Sequence, residues 1–565
     1  MKKKESAGST LLWLSKVAGK AKLHILILLL IQAILAICGV AYAMLLRRII
    51  NTAVAGDRNA FFIAIGSFAA LIMSQIVLRA LNRFLEENTR STLENRFKSR
   101  LFQALLTKDY QAVAGTHSGE WMNRLTSDTV VVADGLQAIL PGVTGMTVKM
   151  LGATIAIIWL EPRFLYILVP GGILMILISY LFRRSLKRLH RNIQEADGKL
   201  RVHMSERLSS MVVIRSFSQE KNTVEQADEL MANHKEKRIQ RNHFSNICNI
   251  AFSFVMDAVY VLGAFFCGYN LLQGSMSYGD LMAILQLVAQ IQNPFASITG
   301  YLPKFYAMLA SAERLMEAEL FADDRTDEQT EAERRRFYDE KFVSVGLRDA
   351  SFTYRPLASE EPETMGTVAL TNLNIEVGKG EYVAFTGPSG CGKSTAMKLL
   401  MALYSLDSGE QYLKTVDGEM PLRGNVRGLF AYVPQGNQLL SGSIREIIAF
   451  GDREKMQQEE KLQEALRIAC AEEFVQNLEK GLDTVLGERG TGLSEGQMQR
   501  IAIARAIFSE HPILLLDEAT SSLDEATEQA VLANLRRMTD RTVMIVTHRP
   551  AVLTICDKEI SFGKK

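Results

Sequence analysis

The sequence predicts an α-helical six-span transmembrane domain followed by an α/β domain of the P-loop NTPase class. Three observations carry that division. Apolar runs near the ~20 residues that a membrane helix needs fall in close pairs before residue 303. After residue 340 short apolar strands alternate with helical stretches, as in soluble α/β domains. A strand, a glycine-rich loop and a helix follow one another over 381–400. The chain has 565 residues, too many for one core and enough for roughly two to four domains. Its 48% hydrophobic and 22% charged residues are averages that conceal the split.

The predicted spans are 23–46 ("LHILILLLIQAILAICGVAYAMLL"), 61–78, 139–160, 164–182, 247–272 and 281–302. The last is the most polar, with Gln286, Gln290, Gln292 and Asn293. A buried helix of a soluble protein is the alternative for any one run, but paired runs repeated along the chain outweigh it. Cations gather at the N-terminus (Lys2, Lys3, Lys4, Lys16, Lys20, Lys22) and in 84–135 and 183–242, as in "FRRSLKRLHR". The positive-inside rule therefore puts both termini and both long segments in the cytosol. Arg47, Arg48 and Arg58 weaken the contrast at the first short link. The long segments keep helical periodicity, so they read as membrane helices prolonged into the cytosol. Each turns at a polar break, near 110–120 and 212–220.

This reading assigns 1–315 to the transmembrane domain, 316–341 to a charged linker and 342–565 to the nucleotide-binding domain. The linker, "MEAELFADDRTDEQTEAERRRFYDEK", reads as a solvated join. A net charge of +2 gives no bulk-charge case for nucleic acid. Cys38, Cys248, Cys267, Cys391, Cys470 and Cys556 lack paired spacing and read as reduced thiols. "MKKKESAGST" is basic but lacks an apolar core and a small-residue cleavage site, so no cleaved signal peptide is expected.

Lys149 in the third span and Asp257 in the fifth place charge at bilayer depth, which is costly and normally faces protein or water. Counted from helix starts near 136 and 243 at about 1.5 Å per residue, both lie roughly 20 Å in. They are candidate transport-pathway residues. An ion pair between them is one reading, and separate wet positions are the other.

In "EYVAFTGPSGCGKSTAMKLL" the loop Gly387-Pro388-Ser389-Gly390-Cys391-Gly392 runs into Lys393, Ser394 and Thr395. This is the P-loop pattern in its required strand–loop–helix context. Backbone N–H groups cradle phosphates, Lys393 reaches the β/γ oxygens and the Ser394 hydroxyl ligates Mg²⁺. "PILLLDEA" (512–519) is a buried strand ending in two carboxylates, which packing alone does not ask for. Asp517 suits the Mg²⁺ shell and Glu518 a general base for the attacking water. His548 closes the strand of "TVMIVTHRP". A lone histidine at a strand end is usually structural, but after two such motifs a γ-phosphate sensor is the better reading. "TGLSEGQMQR" (491–500) starts a helix: Ser494 and Gln497 fit a capping box, and the small Gly496 leaves bare N–H groups at a positive dipole end. That end suits an anion, yet the P-loop lies about 100 residues upstream, outside any one loop-and-helix unit.

Over nearly its whole length the chain resembles the ATP-binding cassette transporters, in the exporter-type half-transporter layout. The match runs through "GPSGCGKST", "YVPQ" with Gln435, "LSEGQ", "ILLLDE", "SSLD" and "THR", in the family's order. "SGEWMNRLTSDTVVV" and "ASAERLMEAE" look like the family's membrane-domain stretches. The resemblance implies that Tyr354 stacks on adenine, and that Gln435 joins Ser394 and Asp517 around Mg²⁺ and couples them to the membrane domain. It implies that Glu518 and His548 are catalytic. It makes Leu493, Ser494, Glu495, Gly496 and Gln497 the signature, which holds ATP on a partner's P-loop, and Ser521, Ser522, Leu523 and Asp524 the D-loop. Two cassettes then pack head to tail, so a working pair of sites needs a second half-transporter, identical or different. The breaks near 110–117 and 212–218 become coupling helices.

Two departures stand out. Glu495 replaces the usual signature glycine; a carboxylate in a first helical turn favours the dipole, and it also adds negative charge near a partner's γ-phosphate. The family's C-terminal helix is short or absent after "DKEISFGKK". The expected function is ATP-driven export of an amphipathic solute, lipid or peptide from a bacterial cell membrane, with ATP and Mg²⁺ as cofactors. An importer on the same scaffold and a soluble cassette ATPase are the alternatives. The membrane spans oppose the second, and the absence of a peptidase before the first span disfavours a self-processing peptide exporter.

Overall fold

The computed structural model describes residues 7–324, 329–354, 366–436, 439–487, 490 and 492–563; side chains at 293–299 and 302 are also outside it. Lys2, Lys3, Lys4 and part of the linker, 325–328, therefore lie outside the described residues, as does the side chain of Asn293.

The first compact unit comprises 1–98 and 126–313 and is helical. A short α1 (Ala7–Ala18) precedes α2 (Ala21–Ala55), which stops at Gly56, whose left-handed φ of 73° suits a residue without Cβ. Then come α3 (Arg58–Thr107), α4 (Tyr110–Ala114), α5 (Ser118–Asn123) and α6 (Thr129–Leu160). A Glu161-Pro162 link turns the chain into α7 (Leu165–Ser209), where Pro breaks helical bonding and Glu161 accepts the Arg163 N–H. The tip α8 (Met211–Ser216) leads into α9 (Glu220–Leu272), and α10 (Tyr278–Glu319) follows. Among the described residues five helices are long and apolar enough to cross a membrane: Ala21–Ala55, Arg58–Thr107, Ser118–Leu160, Pro162–Ser209 and Glu220–Leu272. The sixth predicted span lies in α10. α3 and α9, with 50 and 53 residues, reach about 75–80 Å, far beyond the ~30 Å hydrocarbon core.

The helices pack α2 on α6 and α7 on α9. Three glutamine amides cross-link them by donating to backbone carbonyls of neighbours: Gln75 to Cys38 O (3.1 Å), Gln290 to Gly39 O (2.7 Å) and Gln292 to Met256 O (2.7 Å). In an apolar medium a lone amide is costly, so these bonds fix which helix meets which. Arg47 on α2 pairs with Asp280, which also accepts from the Ser277 hydroxyl at 2.6 Å. Lys149 and Asp257 form no ion pair among the described residues. Lys149 faces α2, where a Cβ on Gly39 would lie 3.8 Å from its Cε, whereas Asp257 is exposed on α9, which pairs with α7. Within one chain, then, equal depth does not bring together side chains on differently partnered helices; pairing across a dimer stays a proposal.

The second unit comprises 99–125 and 314–565, so the end of α3 with α4 and α5 packs with the cassette. Trp121 donates to Val113 O at 3.0 Å and meets Phe321 edge-on, and Asp109 N–H donates to Ala322 O. α11 (Glu331–Glu340) begins with a capping box of Thr330 and Glu333. The strands β1 (Phe342–Tyr354), β2 (Thr367–Gly378), β4 (Ser408–Thr415) and β5 (Gly418–Pro421) form an antiparallel sheet in the order β2-β1-β4-β5. A parallel sheet in the order β11-β3-β10-β9-β6 is built from β3 (Tyr382–Thr386), β6 (Phe430–Val433), β9 (Ile513–Asp517), β10 (Thr542–Val546) and β11 (Lys558–Ser561).

β9 and β10 are buried on both faces, hence their unbroken apolar runs. Alternation sends Leu514 and Leu516 into a core with α13 (Ile444–Ile448), α14 (Glu459–Ile468), α15 (Glu472–Gln476) and α16 (Glu495–Phe508). Ile513 and Leu515 face a second core with α12 (Lys393–Leu400) and the antiparallel sheet. α17 (Glu525–Arg536) starts at Asp524, whose carboxylate caps it through Thr527 N. Short β7 (Gly442–Ser443) and β8 (Val485–Leu486) pair with each other.

Candidate nucleotide site

Open α/β sheets bind ligands beyond the carboxyl ends of their parallel strands. Here the P-loop follows β3, Gln435 follows β6, Asp517 ends β9 and His548 follows β10, so four separated stretches of sequence converge at one sheet edge.

The loop is shaped by glycine. Gly387 (φ 137°) and Gly392 (φ 101°) are left-handed, and a Cβ on either would come within 2.5 Å of Phe562 O or Leu370 Cδ2. Lys393 is buried and its Nζ donates to Gly387 O (2.8 Å) and Pro388 O (2.9 Å), folding back over the loop. Ser394 Oγ donates to Asp517 Oδ1 at 2.9 Å, and Tyr432 Oη donates to Asp517 Oδ2 at 3.0 Å. Burial, then the Asp517 carboxylate, pushes the Tyr432 hydroxyl well above the usual tyrosine range, so it stays a donor. A serine hydroxyl and a carboxylate in contact at the lip of a phosphate loop are hard oxygen donors that fit Mg²⁺.

Glu518 is the centre of the edge. Its Oε2 accepts from Gln435 Nε2 at 2.8 Å and its Oε1 lies 3.4 Å from His548 Nε2. Its backbone is left-handed (φ 51°), a conformation that a non-glycine residue adopts at a cost. Tyr354 is partly exposed at the end of β1, and its hydroxyl is 3.0 Å from Thr395 Oγ1. Pro388, Ser389 and Gly390 are exposed, and Cys391 Sγ lies 3.8 Å from Lys393 Nζ.

The signature residues do not join this cluster: among the described residues no hydrogen bond or ion pair links 493–497 to 387–395. Ser494 and Gln497 form the reciprocal capping box at the start of α16, and Ser494 and Glu495 are exposed. Leu493 packs on the helical core. A Cβ on Gly496 would lie 2.9 Å from Ser522 O, so that glycine permits close approach of Ser521-Ser522-Leu523-Asp524.

Sequence reasoning missed three residues. Tyr432 holds Asp517. Buried Gln499 donates to Ser521 Oγ (3.0 Å) and accepts from Ser522 N (3.0 Å). Arg549 donates to Leu523 O (2.9 Å), Ser521 O (2.6 Å) and Glu528 Oε2 (2.9 Å), tying the residue after His548 to 521–523. A glutamine inside the apolar stretch of α16 was the available signal for the second.

A family model described as ABC transporter transmembrane region matches residues 25–295, and one described as ABC transporter matches 370–521. An ATP-dependent lipid A-core flippase of Mannheimia succiniciproducens is 28% identical over 87% of this chain and 82% of its own. An ATP-dependent permease of Candida albicans is 26% identical over 85% of this chain and 70% of its own. The structure of a bacterial Atm1-family ABC exporter with ATP bound matches with a TM-score of 0.78 at 20% identity, over 97% of this chain and 94% of that one. With both family models in order along one chain, on a helical membrane domain joined to a P-loop cassette, the protein belongs to the ATP-binding cassette transporters, as an exporter-type half-transporter that couples ATP hydrolysis to membrane transport.

Proposed function

We propose that two copies of this layer pair, this chain with itself or with a second half-transporter, export an amphipathic solute, lipid or peptide from the cytosolic side of a bacterial membrane. The observation that supports a working hydrolytic site is the contact of Glu518 with both Gln435 and His548 beside the Ser394–Asp517 pair. Export, not import, is favoured by relatives named as flippases.

In this reading Lys393 releases the loop carbonyls and turns to the β/γ-phosphate oxygens, while the loop N–H groups hold the phosphates and Tyr354 stacks on the base. Ser394, Asp517 and Gln435 would hold Mg²⁺, which supplies charge neutralisation at the phosphates. Glu518 takes a proton from the attacking water, and His548 touches the γ-phosphate and orients Glu518. Ser494 and Gly496 offer the N-terminus of α16 to the partner's ATP. ATP thereby joins the two cassettes and its hydrolysis parts them, moving the membrane halves between inward- and outward-facing states. Lys149, beside α2, stays the pathway candidate, and Asp257 a second one on its own. ATPase stimulation by a panel of lipids, amphiphilic drugs and peptides in proteoliposomes tests the reading. A stimulating compound that also moves into inside-out vesicles when ATP is added to the outer medium is the expected result; stimulation without movement would sink the export reading.

A further inference from the structure

Asp517 ends β9 with its side chain buried, 1% exposed. Among the described residues its carboxylate accepts one side-chain hydrogen bond on each oxygen, from Ser394 Oγ on Oδ1 (2.9 Å) and from Tyr432 Oη on Oδ2 (3.0 Å). The two donors differ in kind. Ser394 belongs to the phosphate-loop motif, where its hydroxyl suits a hard cation. Tyr432 comes from β6, the edge strand beside β9, and has no place in that motif.

The local fold brings the phenol there. β6 and β9 run parallel with Tyr432 level with Leu515, so Asp517 lies two residues further along its strand. A tyrosine side chain is long enough to span that step, and its ring packs on the core shared by α12 and the antiparallel sheet. Phenylalanine would fill the same space. The hydroxyl adds a donor to an oxygen shielded from water, and a buried acceptor left without a donor is costly. The hydrogen bond therefore fixes the rotation of the carboxylate: Oδ2 is committed to Tyr432 and Oδ1 is turned to Ser394. Gln435, three residues beyond Tyr432, holds Glu518 through Oε2. The end of β6 grips both neighbouring carboxylates, one by a hydroxyl and the other by an amide.

This division of the Asp517 oxygens matters for the choice of cation. Mg²⁺ demands near-octahedral geometry, and two oxygens of one carboxylate subtend far less than a right angle. The larger Ca²⁺ has a looser shell and takes a carboxylate through one oxygen or both. A cation using both oxygens of Asp517 would have to displace the Tyr432 hydrogen bond. We infer that Tyr432 is a positioning residue that limits Asp517 to contact through one oxygen and so favours Mg²⁺ over Ca²⁺ at the nucleotide site. The inference rests on the reading that Ser394 and Asp517 hold the metal.

The test measures binding of AMP-PNP, an ATP analogue that is not hydrolysed, to the purified full-length transporter in EDTA, with Mg²⁺ and with Ca²⁺. The readout is the gain in affinity that each metal brings over EDTA. Tyr432→Phe removes the donor and keeps the ring; Tyr432→Met fills the space without ring or donor, so a folding defect peculiar to one variant does not decide the matter. In both, binding in EDTA is expected to stay within about twofold of wild type and the Mg²⁺ gain to shrink by about tenfold, the low end of what losing a partner one step from a metal costs. The Ca²⁺ gain is expected to stay within about twofold, since a freed Oδ2 suits that ion. Losses as large in EDTA as with metal would reduce Tyr432 to a packing role. Equal shrinkage of the Mg²⁺ and Ca²⁺ gains would remove its part in selectivity. Either result overturns the inference, as does an unchanged Mg²⁺ gain. A wild type that gains nothing from Mg²⁺ would overturn the metal reading of Ser394 and Asp517, and this inference with it, so the two failures are told apart.

Discussion

Glu518 shows how one residue can be held in a costly backbone conformation by the fold around it. Its left-handed backbone aims the carboxylate at Gln435 and His548. Glu518→Gln keeps the shape and removes the proposed base, while Lys393 and the loop amides remain. ATP binding is expected to stay near wild type, and turnover to fall by about 10²–10⁴; steady-state hydrolysis beside nucleotide-binding titration checks both. Retention of a tenth of turnover or more would remove Glu518 from the base role. The pairing of the acidic dipeptide with a strand end was legible in the sequence because an apolar strand has no packing reason to finish in Asp-Glu. The grip of Arg549 on 521–523 was not, since its three acceptors are backbone and carboxylate oxygens brought to it only by the fold.

Among elements, α4 is the smallest with a clear place. Its first residue, Tyr110, meets Tyr404 at 5.8 Å between ring centres, and Tyr404 in turn meets Tyr354 at 5.7 Å. Burial pushes the Tyr404 hydroxyl up to about 12, so that hydroxyl is neutral at any working pH. Movement of α4 is thus mechanically continuous with the tyrosine expected at adenine. Tyr110→Ala is expected to lower cargo-stimulated hydrolysis several-fold while leaving the apparent KM for ATP within about twofold, on the view that aromatic contacts are worth about 1 kcal/mol and lie outside the phosphate cradle. A large rise in KM instead would make Tyr110 part of nucleotide binding. The polar break near 110–120 was visible as sequence, and the family resemblance implied that it docks on a cassette; its particular partners, Phe321, Ala322 and Tyr404, were not legible, because a three-dimensional unit assembled from 99–125 and 314–565 leaves no local pattern.

At the scale of the whole molecule, the separation of 493–497 from 387–395 predicts complementation between chains. A Lys393→Ala chain lacks a P-loop and a Gly496→Asp chain lacks a signature, so each alone is expected to be inactive. Coexpressed, half of the dimers carry one intact composite site, giving about a quarter of wild-type hydrolysis by random pairing of two-fold assemblies. Activity no higher than either parent would refute a shared site. Stability has its own pH signature. Desolvation, with Arg334, Lys455 and Arg541 nearby, lowers His511 to about 4 from an ordinary 6.5. Between those values the unfolded chain takes a proton that the folded chain refuses. The cassette is therefore fully stabilised above pH 6.5 and loses up to about 3 kcal/mol on acidification to pH 4, at 1.36 kcal/mol per unit. The drop in melting temperature from pH 7 to pH 5 is expected to shrink in His511→Asn; an unchanged drop would clear His511 of the effect.

The glutamine cross-links also order biogenesis. The adjoining carbonyls of Cys38 and Gly39 on α2 accept from Gln75, on the helix made next, and from Gln290, on the last long helix of the membrane unit. The first bond can close while translation continues. The second cannot exist until residue 290 has left the ribosome, some 250 residues after its acceptor. Until then α2 waits in the bilayer with that face unpaired, so an insertion chaperone has most to protect at the beginning of this chain, and a nonsense codon before α10 leaves a membrane domain that no amount of time can finish.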